Sequence, residues 1–110
     1  MNEREVLAIA ILKEEKHDNG NYAYISAYQL AVLMYKQDSN IFSDLKAEHL
    51  GGKDTGDYYS WAQYLARHLK NDNIEQGFFS RKGLIEFSFE DENGDEQKAS
   101  DKVFSVFKYI

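Results

Sequence analysis

A glycine-rich segment, Gly51-Gly52-Lys53, opens onto a helical pattern and could hold a phosphate. A phosphate-binding P-loop, however, needs a glycine five positions before its Gly-Lys pair and a serine or threonine after the lysine. Those positions are Ala47 and Asp54, and an aspartate beside the lysine would repel a phosphate. The segment is therefore interpreted as the end of one helix, with Gly51 or Gly52 in a left-handed conformation, followed by a polar turn.

The residues that bind metals are not spaced for a site. His17, His49 and His68 are too far apart in sequence for two of them to share one face of a helix. The acidic run Asp-Glu-Asn-Gly-Asp-Glu resembles a calcium loop by composition only. Its sixth position is Glu96 and its twelfth is Lys102, where an EF-hand has glycine and glutamate. We therefore expect no metal and no cofactor.

Catalytic groups are scarce in this chain. It contains no cysteine, which excludes thiolate nucleophiles, thiolate metal sites and disulfides. No serine lies in a Gly-x-Ser-x-Gly turn, the motif that exposes the nucleophile of α/β-hydrolases. The sequence favours a protein without catalytic activity, although chance pairs among its 19 acidic residues leave an enzyme open.

The helix that follows Ser60 carries the strongest candidate for a binding surface. An apolar stripe that begins at Trp61 faces the core and leaves Gln63, Arg67 and Lys70 on the exposed side. Glutamine and arginine can read base edges, and lysine contacts phosphate. The alternative is an ordinary solvated helix face. The full candidate interaction face comprises Tyr58, Tyr59, Gln63, Arg67, Lys70, Arg81 and Lys82.

Capping patterns predict where the helices that position these side chains begin. Asn2 and Ser26 each precede an apolar helical run and have Glu5 and Gln29 three residues later, the spacing of a capping box. The same Ser-x-x-Gln spacing predicts a helix start at Ser60. The predicted helices run from Glu3 to about His17, where Asp18 to Gly20 ends the helix; from Ser26 as the central core helix; from Ser43 to Leu50; and from Ser60 onward.

The pattern changes from helical to alternating after Gly77. Residues 85–89 alternate apolar and polar side chains, which is typical of a strand with one buried face. Asn93-Gly94 is a dipeptide favoured in tight hairpin turns. The predicted class is α+β, with three to four N-terminal helices followed by a small antiparallel β-hairpin or three-stranded meander.

The connection between the two predicted strands has two interpretations. A two-residue turn at Asn93-Gly94 would pair Phe89 with Lys98, which is a poor match. Either a short third strand therefore lies near residues 96–99, or residues 90–102 form a long acidic loop.

Helices followed by a hairpin is the layout of winged-helix proteins, and the chain resembles them in this order of elements. The resemblance implies a DNA-binding regulator that uses Gln63, Arg67 and Lys70, with Arg81 and Lys82 on phosphates. Two features depart from the pattern. The hairpin is acidic, the wrong sign to lie along DNA, and residues 37–57 separate helices that a helix-turn-helix joins by a short turn.

Length and composition indicate the number of domains and the cellular location to expect. A chain of 110 residues and 12.8 kDa predicts one domain, residues 1–110, with one hydrophobic core. The absence of cysteine suits a cytoplasmic location, and the apolar run at residues 6–12 is too short to cross a membrane. A net charge of −6 disfavours a sequence-independent grip on nucleic acid, which needs positive surface.

We therefore expect a small, acidic, non-enzymatic accessory protein that acts as a macromolecular interaction module. Its expected partner is another protein or a second copy of itself, since aromatic residues give interfaces large contact area. A homodimer through the strand edge at residues 103–110 is one such arrangement, because both faces of that strand carry apolar groups. A winged-helix-like DNA-binding regulator is the alternative, and an acidic mimic of nucleic acid that inhibits a DNA-binding protein is a further one.

Overall fold

The structure, a computed structural model, describes residues 2–45 and 56–110, with the backbone alone at residues 56–60, 81, 84, 101 and 102. Those ranges hold three helices and three strands in an α+β arrangement. In chain order the elements are α1 (Glu3–Glu14), β1 (Ile25–Ser26), α2 (Ala27–Gln37), α3 (Gly56–His68), β2 (Ile74–Glu90) and β3 (Glu96–Tyr109). The predicted class is confirmed, but β1 lies between the first two helices instead of after them.

Helix α1 begins as predicted and ends early. The side chain of Asn2 accepts a hydrogen bond from the Glu5 backbone N–H at 2.8 Å, which caps the first turn. The helix stops at Glu14, and the predicted extension to His17 is wrong. The next residues bond to the returning chain: the Ala23 N–H donates to the Glu15 carbonyl at 2.8 Å. Gly20, with a φ of 85°, therefore serves the turn of this small loop and does not end a helix.

Helix α2 forms the centre of the core. Ser26 caps it, with its Oγ accepting from the Gln29 N–H at 3.0 Å, and Leu30, Val32 and Met34 are fully buried. The Gln29 side chain does not complete a capping box. Its amide pairs instead with the backbone of Glu90, donating to the carbonyl at 3.0 Å and accepting from the N–H at 2.8 Å. A side chain of α2 thus takes the place of a neighbouring strand at one end of β2.

Helix α3 starts at Gly56, so the predicted start at Ser60 is wrong. A serine and a glutamine three residues apart also lie on one face inside a helix, so the spacing alone does not mark an N-terminus. Of the predicted helix at Ser43 to Leu50, the described part forms turns. For example, the Leu45 N–H donates to the Phe42 carbonyl at 2.9 Å. The rest of that helix, and the predicted stop at Gly51-Gly52, lie outside the described residues.

Strands β2 and β3 form a long antiparallel pair, here termed the ribbon. Pairing runs from Ile74 opposite Tyr109 to Glu90 opposite Glu96, with an irregularity between Ser80 and Ile85. Both interpretations of residues 90–102 are wrong: this stretch is neither a long acidic loop nor a separate strand, because residues 96–109 belong to one continuous β3.

The loop between the two strands sets their register. It spans residues 91–95, and Phe89 therefore faces Gln97 instead of Lys98. The cause is Asp91, whose carboxylate accepts from the Asn93 and Asp95 N–H groups, both at 2.9 Å, and from the Gln97 amide at 2.8 Å. A five-residue loop built around one carboxylate replaces the expected two-residue turn.

Strand β3 is the middle strand of the sheet. Strand β1 pairs with it on the side away from β2, with Ile25 opposite Phe107 and Ser26 opposite Val106, so the order is β1-β3-β2. The sheet is not a meander. The predicted homodimer edge at residues 103–110 is occupied by β2 on one side and by β1 at Val106 and Phe107 on the other.

The helices and the segment after α2 enclose an aromatic core. Trp61 of α3 is 3% exposed and stacks between Tyr35 and Phe42, with ring centroids 5.2 and 4.9 Å away. Arg4 of α1 ties this region together. Its Nε donates to the Ile41 carbonyl at 2.8 Å, its guanidinium pairs with Asp44, and it lies 4.5 Å from the centroid of Tyr64.

Candidate interaction surface

A cleft of about 270 Å³ lies between α3 and the ribbon. On the α3 side, Ala62 and Ala66 are four residues apart and so share one face, and their small side chains leave the space open. The remaining walls come from the start of α2 and from the middle of the ribbon. The lining residues of this α3–ribbon cleft that bear on binding are Tyr28, Gln63, Arg67, Phe78, Val103 and Phe104.

The ribbon side of the cleft exposes large apolar side chains. Phe78 is 63% exposed and Val103 is 46% exposed, and both line the cleft. Phe79, the neighbour of Phe78 on β2, is 55% exposed. Monomeric proteins seldom leave several large apolar side chains together in water, and such patches mark binding surfaces.

The exposed ring of Phe79 is continuous with the core. It stacks on Phe104 at 5.3 Å, Phe104 stacks on Phe87 at 4.1 Å, and Phe87 meets Tyr28 edge-on at 5.1 Å. Tyr28 is 3% exposed. This row of aromatic rings packs Phe79 against the core, whereas Phe78 projects from the opposite face of β2.

The polar rim of the cleft comes from α3. Gln63 and Arg67, two of the predicted interaction residues, are exposed there and line the same cleft. In the described part of the chain, no hydrogen bond or ion pair engages the guanidinium of Arg67, so its donors are available to an acceptor on a partner. The structure therefore brings two predicted residues next to Phe78 and Val103.

Lys70 has a local role at the end of α3. Its ammonium donates to the Ala66 carbonyl at 3.3 Å and to the Gln76 side chain at 2.6 Å. The Gln76 amide in turn donates to the same Ala66 carbonyl at 3.1 Å and to the Ser105 hydroxyl at 3.3 Å. Lys70 thus satisfies a carbonyl at the helix C-terminus, where a positive charge is favourable.

The remaining predicted residues are placed by their backbone or exposure only. Tyr58 and Tyr59 lie in the first half of α3, and Arg81 lies in the irregular stretch of β2. Lys82 is exposed in that same stretch. Their part in the interaction face stays a prediction.

Phe78 was missed by the sequence reasoning, whereas Val103 and Phe104 fall within the predicted strand edge at residues 103–110. The signal that could have found Phe78 is its neighbour Phe79, because two adjacent phenylalanines in a strand point to opposite faces. The alternation at residues 85–89 predicts only the second half of β2, which begins at Ile74.

A second polar cluster lies at the end of the ribbon that is opposite the loop at residues 91–95. Tyr24 donates from its hydroxyl to Glu75, which lowers the pKa of Glu75 and raises that of Tyr24. Lys108 adds to the effect on Glu75, with its ammonium 3.5 Å from that carboxylate and 4.9 Å from the Tyr24 ring centroid. The cluster is exposed and fully paired, which is typical of a surface tie between strands.

The hairpin loop carries the other perturbed carboxyl. The pKa of Asp91 is lowered, first by the hydrogen bond from Gln97 and then by those from the Asp95 and Asn93 backbones. Asp91 is 6% exposed, so its hydrogen bonds and not solvent stabilise its charge. Its role is to close the loop.

Comparison with known proteins adds no relative from which a role could be transferred. No protein-family model, curated protein or solved structure matches this chain. Among the described side chains, no group of three His, Cys, Asp or Glu residues could hold a metal ion. None of the described helices combines the length and the apolar character needed to cross a bilayer.

Proposed function

We propose that this chain is a non-enzymatic protein-interaction module whose partner binds the α3–ribbon cleft. The observation that carries the proposal is the exposure of Phe78 and Val103 in a cleft with Arg67 on its rim, an arginine that no described residue pairs with. Covering such a patch releases apolar surface from water, worth about 25 cal/mol per Å². Pockets of this kind, lined by aromatic side chains with one arginine, are where binding energy concentrates in protein interfaces.

The chemistry of the cleft defines the partner segment. An apolar side chain would fill the space above Ala62 and Ala66, against Phe78 and Val103. A carbonyl or carboxylate next to it would accept from Arg67, since a guanidinium presents donors only. The partner is therefore a protein segment with an apolar side chain flanked by a hydrogen-bond acceptor, met in the cytoplasm.

A winged-helix-like DNA-binding regulator is the second candidate. The order α1-β1-α2-α3-β2-β3, with a β1-β3-β2 sheet, supports that layout. Gln63 and Arg67 are exposed on α3, the helix that would enter the major groove. The loop at residues 91–95, in the position of the wing, carries three acidic side chains and would face phosphates. The protein partner is favoured for this reason.

Site-specific photocrosslinking separates these candidates. A photoreactive amino acid at Val103, which lines the cleft, is compared with the same amino acid at Val6, which is 52% exposed on α1 and does not line the cleft. In the cells that make the protein, we expect a discrete protein adduct from position 103 and none from position 6. A Phe78→Ser change in the position-103 variant should abolish that adduct.

Two outcomes would overturn the proposal. A nucleic-acid adduct at position 103 would favour the DNA-binding alternative. Equal protein adducts from positions 103 and 6 would show that the cleft has no special affinity. An adduct with a DNA-binding protein that duplex DNA displaces would instead support the acidic-mimic hypothesis.

A further inference from the structure

The outer edge of β2 has backbone groups that nothing in the described structure satisfies. Strand β2 is an edge strand among the described strands, since β3 is the only one of them that pairs with it. The Ile110 N–H donates to the Asn73 carbonyl at 3.0 Å, so residue 73 directs its backbone groups at β3. In an antiparallel ladder this direction alternates from residue to residue. Gln76, Phe78 and Ser80 therefore direct their N–H and C=O groups away from the sheet.

The two ends of β2 differ in this respect. At the loop end, Gln29 bonds both backbone groups of Glu90. At the other end, the Ile74 N–H donates to the Asn71 carbonyl at 3.0 Å. Between them, residues 76–80 form an open edge that carries the two exposed phenylalanines. An open edge with exposed apolar side chains is a template for another strand.

The geometry points to a second copy of this chain on that edge, paired antiparallel about a two-fold axis at Phe78. A two-fold axis perpendicular to the sheet leaves each face of the sheet on the same side in both copies. Even-numbered residues of one copy therefore face even-numbered residues of the other, and odd-numbered residues face odd-numbered ones. Centring the axis on Phe78 sets the outward groups of Phe78 against those of Phe78 in the second copy. It likewise sets Gln76 against Ser80, which completes the hydrogen bonds of the open edge.

The side chains of this stretch are complementary to themselves in that register. Gly77 faces Phe79 of the second copy, and an aromatic ring can cover an edge glycine that has no side chain of its own. Val106 and Tyr24 lie 3.2 and 3.8 Å from where a Cβ of Gly77 would be, so the incoming ring would pack beside these two side chains.

The charges of the residues at the contact are compatible with this pairing. Residues 76–80 carry no charge, so two copies with a net charge of −6 each meet without like charges at the contact.

The pairing also extends the α3–ribbon cleft. Phe78 lines the cleft, and in the two-fold arrangement Phe78 of the second copy lies on the same face directly beside it. Each cleft would thus gain an aromatic side chain from the other copy. The pairing itself rests on the edge geometry and not on the proposed function.

A cysteine-pairing experiment tests the register. The natural chain has no cysteine, so a single Phe78→Cys change introduces the only thiol. In a hydrogen-bonded antiparallel pair the facing Cα atoms are about 5.5 Å apart, which a disulfide spans. The matched control is Ser88→Cys, which is exposed on the same strand and has no facing strand residue in this register. We expect Phe78→Cys to form a disulfide dimer at least about tenfold faster than Ser88→Cys, because pairing raises the effective thiol concentration.

Sedimentation of the unmodified chain provides the second measurement. We expect a dimer of twice 12.8 kDa, weakened at least about tenfold by Ser80→Pro and unchanged by Ser80→Ala. Proline at position 80 removes an outward N–H and leaves the ladder with β3 intact, which an edge strand tolerates. If that variant does not fold, the cysteine comparison decides alone.

A strict monomer up to millimolar concentration, or equal crosslinking of Phe78→Cys and Ser88→Cys, overturns the second copy as occupant. A monomer that still shows the foreign-protein adduct at position 103 would leave the proposed function standing and assign the edge to an extended segment of that partner. A dimer that shows no protein adduct at position 103 would support the second copy on the β2 edge and overturn the proposed protein partner of the cleft.

Discussion

Two aromatic clusters in this molecule use the same residue types in opposite ways. Around Trp61, the rings of Tyr35 and Phe42 stack on both sides and almost no surface remains. Along the ribbon, the row that starts at Tyr28 ends in water at Phe79, beside Phe78. Aromatic content is therefore no guide to a binding surface by itself. What distinguishes the clusters is where each row of rings ends.

The largest effect expected from this contrast is on the free energy of unfolding. Trp61→Ala should lower it by about 3–5 kcal/mol, because the change leaves a cavity between two stacked rings. Phe78→Ser, at a side chain that is 63% exposed, should change it by less than about 0.5 kcal/mol. Urea denaturation of both variants checks the contrast. A comparable loss in Phe78→Ser would mean that the ribbon surface is part of the core.

A smaller effect is expected at the residue that ties α1 to the Trp61 cluster. Arg4→Ala removes the hydrogen bond to Ile41, the ion pair with Asp44 and the contact with Tyr64. We expect a loss of about 1–3 kcal/mol in the free energy of unfolding. Arg4→Lys, measured in the same denaturation series, should recover only part of it, since an ammonium cannot reproduce the forked geometry. Full recovery would show that charge alone matters at this position.

The smallest effect concerns the ribbon loop and depends on pH. Asp91 has a lowered pKa in the folded state. Its stabilising contribution is therefore present above the unfolded-state pKa of about 3.9 and is lost as the pH falls through the folded-state value. We expect the melting temperature of Asp91→Asn to fall less steeply than that of the natural chain as the medium is acidified. Identical slopes in thermal scans across the acidic range would contradict the assigned role of Asp91.

Features set by interactions between residues close in sequence could be predicted, and features set by residues far apart in sequence could not. The caps at Asn2 and Ser26 were predicted correctly because each cap side chain accepts from a backbone N–H only three residues further on. The same rule failed at Ser60, where the helix starts earlier for reasons that a three-residue pattern does not contain. Predicting the α+β class required only the change from helical to alternating spacing of apolar residues along the chain.

Long-range features were beyond that reasoning. The length of the ribbon depends on Asp91 reaching Gln97, and the position of β1 depends on pairing with a strand some eighty residues later. For the candidate surface, helical periodicity was enough to place Gln63 and Arg67 outward. The exposure of Phe78 and Val103 is set by the register of β2 on β3 and by two alanines on α3, none of which are neighbours in sequence.

The amide of Gln29 on Glu90 has a consequence for how far assembly can proceed. A sheet that adds strands at both edges grows without limit into a fibre. Here one end of β2 is already bonded by Gln29, and the opposite edge of the sheet is β1, only two residues long. The proposed two-fold contact at Phe78 uses the open stretch at residues 76–80 of each copy. In the proposed pairing each copy offers the same stretch to the other, so the two-fold contact at Phe78 closes at two subunits and does not propagate.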